Sequence, residues 1–169
     1  MRGIMKARMA AALPLKQRAT VRRLVAMDIE NINGGAVQDQ YRAAAAWQVI
    51  ANAIDLDDRD HVVVGVGPSS LLASGASHLG ARFVLGRGLS GADRALVEVL
   101  RDERVADRFG EVVIVSGDGI FADTAADLAM HGVRVTVVCR SGHVSSRLRL
   151  AAARVVLLPD FVPTVGEAA

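Results

Sequence analysis

Acidic side chains recur in this sequence where an apolar run stops. "RLVAMDIEN" ends in Asp28, Glu30 and Asn31, with Asn33 just beyond. "GRGLSGAD" places Asp93 in the first turn of an expected helix. "EVVIVSGDG" ends in Asp118, set between two glycines, and Asp123 follows one turn into the next helix. If the apolar runs are parallel strands, all these carboxylates collect along one edge of one sheet. Carboxylates that close repel unless a cation lies between them. Oxygen donors of this kind suit Mg²⁺ or Mn²⁺. A cation so held can orient or deprotonate a water for attack on a phosphodiester, and can stabilise the leaving oxygen. Each acid also has a plainer reading. Asp93 complements a helix macrodipole, Asp118 is a turn residue, and Asp123 lies on a solvated face. Their joint placement at strand ends favours a site.

The elements that would position them alternate along the chain. Strands are expected at 23–30, 61–67, 82–88, 111–119, 133–140 and 154–160. Helices are expected at 36–54, 68–80, 91–109, 120–131 and 145–153. In the first helix the 3–4 spacing of Val37, Tyr41, Ala44, Trp47 or Gln48, and Ala51 suggests the buried face. Pro68 opens the second helix and Gly132 closes the fourth. Strands this uniformly apolar are covered on both faces. Their alternation with helices predicts a three-layer α/β/α Rossmann-like sandwich with a mostly parallel sheet. Ligands in such folds bind at the carboxyl ends of strands, near a topological switch point.

Composition narrows the classes. The 169 residues suit one domain, half of them apolar and few aromatic. No run approaches the ~18 uncharged apolar residues of a membrane span. The one cysteine, Cys139, excludes an internal disulfide, reads as core and permits a reducing compartment, so a cytoplasmic location is expected. The charge is divided. Residues 1–23 hold seven basic side chains and no acid, which leaves 13 basic against 18 acidic residues in the rest. A flexible basic arm is therefore expected over 1–22, a domain over 23–162 and a flexible tail over 163–169. Such an arm could hold a phosphate backbone; it reads equally as a plain leader. "MKARMAAALPL" is short for a secretory signal, and no clear cleavage site follows.

Lys6 and Lys16 are the only lysines, both in the arm, which excludes a phosphate-loop lysine in the body. "GVGPSS" (65–70) is weak as a phosphate loop and reads better as a turn, so a nucleotide-cofactor enzyme is disfavoured. His61, His78 and His131 sit at element ends without zinc spacing, and His143 lies in a loop. Arg140, Arg147 and Arg149 around "SGHVSS", with Arg87 beside the third strand, could grip phosphates through forked hydrogen bonds. A solvated Arg-rich face is the equal alternative. Scarce aromatics argue against a base-stacking platform, and Trp47 reads as core.

In order along the chain, "DIEN" (28–31), "GADRALVEVL", "SGDGIFADTAADLAMHGVRVTVV" and "SSRLRLAAARVVLLPD" resemble the NYN domain family, a branch of the PIN-like nucleases. The resemblance covers roughly residues 23–160. It implies a metal-dependent endoribonuclease acting on single-stranded or structured RNA. Carried over, Asp28, Asp93 and Asp118 would be metal ligands for Mg²⁺ or Mn²⁺. Asn31 would orient a ligand or substrate oxygen, and Ser116 would hydrogen-bond the acids. Ile120 stands where the family often has a second acid of the "SGD" segment, and Ala153 occupies the region of another. Asp123 is the candidate replacement. The alternative is a catalytically weakened RNA-binding or regulatory module on the same fold. A homodimer is compatible with either.

Overall fold

The computed structural model describes residues 21–78 and 80–159. The basic arm, apart from Val21 and Arg22, and the tail lie outside the described residues. The strands are β1 (Arg23–Asp28), β2 (His61–Val66), β3 (Arg82–Leu85), β4 (Glu111–Val115), β5 (Arg134–Arg140) and β6 (Arg154–Leu158). The helices are α1 (Ile29–Asn33), α2 (Gln40–Ile54), α3 (Leu71–Ser77), α4 (Gly91–Asp102), α5 (Val105–Arg108), α6 (Ala122–Met130) and α7 (Ser146–Ala151). A 3₁₀ turn, Gly119–Phe121, leads into α6.

All pairings are parallel, in the order β3-β2-β1-β4-β5-β6. The expected three-layer α/β architecture is therefore present. Successive side chains of the central strands feed opposite cores. Leu24, Ala26, Val112 and Ile114 pack beneath α4 and α6 with Leu96, Phe121 and Leu128. Val25, Met27, Val113 and Val115 pack beneath α2 with Ala43, Ala46 and Ile50. Strands buried on both faces have no polar side to show, which is why they read as unbroken apolar runs. The chain builds outward from β1 to β3, then returns to β4 on the other side. The switch point lies between the carboxyl ends of β1 and β4, next to Asp28 and the "SGD" turn.

Several boundaries differ from the sequence reading. The first strand stops at Asp28 rather than residue 30, because Asp28 caps α1. The expected helix 91–109 is two helices, broken where Arg104 takes a left-handed conformation (φ 53°). The face assigned to α2 was displaced: its buried residues are Ala43, Ala46, Ile50 and Ile54, while Tyr41 is 76% exposed. An alanine-rich helix has weak apolar contrast, and the sheet selects the small side chains that allow close packing. Trp47 stays partly buried, stacked on His78 with ring centroids 3.8 Å apart.

Candidate active site

The "DIEN" spacing is an N-cap. Asp28 Oδ1 accepts the Asn31 backbone N–H at 3.1 Å, so the aspartate closes β1 and opens α1 in one residue. The cap turns the Asn31 side chain toward β4, where its Oδ1 accepts the Gly117 N–H at 3.2 Å. Ser116, fully buried, donates its hydroxyl to Asp28 Oδ2 at 3.3 Å and accepts the Asp118 N–H at 3.2 Å. These bonds tie the carboxyl ends of the two switch-point strands together around Asp28.

Asp93 reaches the same place from α4. Gly65, the register partner of Asp28 on β2, permits it. A Cβ at Gly65 would lie 2.7 Å from Leu96 Cγ and 2.8 Å from the Ala92 carbonyl oxygen. The missing side chain lets the first turn of α4 settle onto the sheet. Gly86 and Gly91 pinch the base of the loop before it: a Cβ on Gly86 would lie 1.9 Å from the Gly91 carbonyl. Asp28 and Asp93 are then buried, 3% and 9% exposed, with their carboxyls in a side-chain hydrogen bond. Burial first, then the hydrogen bond to Asp93 and its charge, raise the Asp28 pKa from 3.8 to about 8. The Asn31 and Ser116 hydrogen bonds oppose that rise. Asp28 therefore keeps its proton at neutral pH, while Asp93 Oδ1 is buried with no hydrogen-bond partner among the described residues.

The two acids line an open cleft of about 160 Å³ together with Glu30, Asn31, Gly67, Gly88, Ser90, Gly91 and Ala92. Glu30 stood among the strand-end acids without an assigned role, and Gly67 was not anticipated as a site residue. The signal was present: Glu30 is inside "DIEN", and Gly67 is the second glycine of the loop read as a plain turn.

The other expected residues sit elsewhere. Asp118 does not line this cleft; its Oδ1 accepts the Ile120 N–H at 2.9 Å and caps the 3₁₀ turn. Asp123, 70% exposed, pairs with Arg147 at 2.7 Å. Ile120 is half-buried against the core beneath α4 and α6. Arg87 and Arg149 are exposed, and Arg140 is half-buried with its guanidinium beside Gly34. Cys139 is fully buried, and burial raises its thiol pKa. The glycines of "SGDG" do not serve as left-handed turn residues. Gly117 instead gives clearance, since a Cβ there would fall 1.7 Å from the His143 carbonyl oxygen.

Among the described residues no three His, Cys, Asp or Glu side chains are grouped closely enough to hold one metal ion. The cleft nevertheless fits a hard divalent cation. Mg²⁺ is commonly carried by one or two carboxylates with water and phosphate oxygens completing its shell. A protonated Asp28 carboxyl beside the buried Asp93, whose Oδ1 has no hydrogen-bond partner among the described residues, meets that description. Among the described residues no helix is long and apolar enough to cross a membrane.

No curated protein matches the chain. Among solved structures, a protein of unknown function from Vibrio parahaemolyticus, VPA0982, is similar with a TM-score of 0.57. It shares 16% identity over 83% of this chain and 94% of its own, which shows a common fold. The sequence model of the NYN domain matches residues 88–159, a stretch that includes Asp93, Asp118 and the last three strands. Over residues 88–159 the chain thus matches the NYN domain family, which bears out the resemblance read from the sequence over that stretch.

Proposed function

We propose that the protein is a metal-dependent endoribonuclease whose cation is carried by Asp28 and Asp93. The observation that carries this reading is the buried Asp28–Asp93 pair, with its retained proton and the partnerless Asp93 Oδ1, opening into a solvent-accessible cleft. A buried polar oxygen without a partner is costly, and a cation held by Asp28 and Asp93 would remove that cost in exchange for the Asp28 proton. When bound, Mg²⁺ or Mn²⁺ supplies charge stabilisation at the phosphate and a more acidic water.

The chain's own residues do the positioning. Asn31 and Ser116 hold Asp28 and lock β1 to β4. Asp118 is the third acid this reading draws on, from the turn after β4. Arg87, Arg140 and Arg149 supply positive charge for the RNA backbone, with Arg147 shared with Asp123. A cytoplasmic location suits an RNA substrate.

The test is cleavage of labelled RNA with Mg²⁺ or Mn²⁺, beside Asp28→Asn, Asp93→Asn and Asp118→Asn. Cleavage that needs the cation and is lost in Asp28→Asn and Asp93→Asn is expected. No cleavage, or equal cleavage by the variants, refutes the reading. The half-buried Ile120 and the absence of a three-acid group among the described residues favour a second reading, a non-catalytic RNA-binding module. RNA binding that survives chelation, without cleavage, would select it.

A further inference from the structure

The glutamate within "DIEN" and the "GVGPSS" loop after β2 are both left over by the Asp28–Asp93 pair, and they meet. Glu30 lies in the first turn of α1, half-buried, and lines the same cleft as the two aspartates. Its Oε1 accepts the Gly67 N–H at 3.0 Å. A Cβ on Gly67 would stand 3.0 Å from that oxygen. Gly67 therefore gives the carboxylate both a donor and room, and fixes its charge at the cleft wall. In the same cleft, Asp93 is 9% exposed and its Oδ1 has no hydrogen-bond partner among the described residues. That oxygen is an independent sign that the cleft can take a ligand.

Among the described residues no three ligating side chains are close enough to hold one ion directly. Glu30 therefore works at one remove. We infer that Glu30 is the outer carboxylate of a divalent-cation site in this cleft. Anchored by the Gly67 N–H, it accepts hydrogen bonds from the water around a cation carried by Asp28 and Asp93. Mg²⁺ and Mn²⁺ favour oxygen donors, and Mg²⁺ in particular keeps several of its waters, so a carboxylate lining the same cleft contributes through them. Outer groups of this kind change metal affinity by about 10- to 100-fold. The inference rests on the cation site proposed above.

The experiment measures Mn²⁺ binding to the full chain at pH 8 by calorimetry and electron paramagnetic resonance, without RNA. Glu30→Gln removes the charge but keeps an acceptor for the Gly67 N–H, so its melting temperature in chelator should equal that of the wild type. Its Mn²⁺ affinity should fall about 10- to 100-fold. Gly67→Ala, which crowds the Glu30 seat without removing charge, should weaken binding in the same direction. Asp123→Asn, outside the cleft and paired with Arg147, should bind as the wild type does. Wild-type protein that fails to bind Mn²⁺ would overturn the cation site itself, and this inference with it. Wild-type binding that is lost in Asp28→Asn but unchanged in both Glu30→Gln and Gly67→Ala would overturn the role of Glu30 alone. A loss in Asp123→Asn with none in Glu30→Gln would assign that role to Asp123 instead.

Discussion

Asp28→Asn should make the metal-free protein more stable at pH 8, although it removes a central residue of the proposed site. In the folded chain Asp28 keeps its proton to about pH 8, against 3.8 for an ordinary aspartate. Below about pH 4 both folded and unfolded chains carry that proton, and the group costs nothing. Between about pH 4 and 8 only the folded chain carries it, so stability falls as pH rises, then levels off above the folded pKa. At about 1.4 kcal/mol per pKa unit the full cost is at most about 6 kcal/mol. Water entry and relaxation of the paired carboxyls reduce it, and about 2 kcal/mol is the expected gain. Asparagine keeps an oxygen for the Asn31 N–H and turns an amide donor toward Ser116 Oγ, so the contact with Ser116 persists with its direction reversed. For a domain of this size the gain corresponds to a rise in melting temperature of roughly 6 °C. Scanning calorimetry in chelator should show this rise at pH 8 and almost none at pH 4. Adding Mn²⁺ at pH 8 should then raise the wild-type midpoint and leave the variant where it was. A variant that melts lower than wild type at pH 8, or a difference independent of pH, would refute the assignment of the proton to this pair.

Three further changes probe how the fold delivers the site. Gly65→Ala sets a Cβ 2.7 Å from Leu96 Cγ; overpacking should cost about 2 kcal/mol in denaturant titration and weaken Mn²⁺ binding by shifting Asp93. Gly117→Ala meets the His143 carbonyl, which is backbone and cannot swing aside; a loss of about 3 kcal/mol is expected, with RNA cleavage reduced in any protein that folds. Arg23→Met strands Asp60 and removes a guanidinium donor from the Ile54 carbonyl at the end of α2; leaving a buried charge unpaired should cost about 3–5 kcal/mol, read by chemical unfolding, with no direct effect on the cleft.

The sequence by itself determined the layer architecture. Runs such as "LVAM" and "VVIV", buried on both faces, are apolar without alternation, and intervening helical patterns leave a parallel sheet as the arrangement that covers them. It also determined that Asp28, Asp93 and Asp118 follow strands, because that depends only on where each run stops. Which carboxylates meet was decided in three dimensions. Asp93 reaches Asp28 because Gly65 has no side chain beneath α4. Asp118 lies beside Asp28 in sheet order, yet its Oδ1 is turned to the Ile120 N–H. Glu30 was named among the strand-end acids but given no role, because its seat is a backbone N–H from a loop 37 residues away. Strand ends follow from local composition, which the chain carries along its length. Carboxylate pairing depends on contacts a few ångströms long between distant residues, and those exist only once both sheet faces are packed.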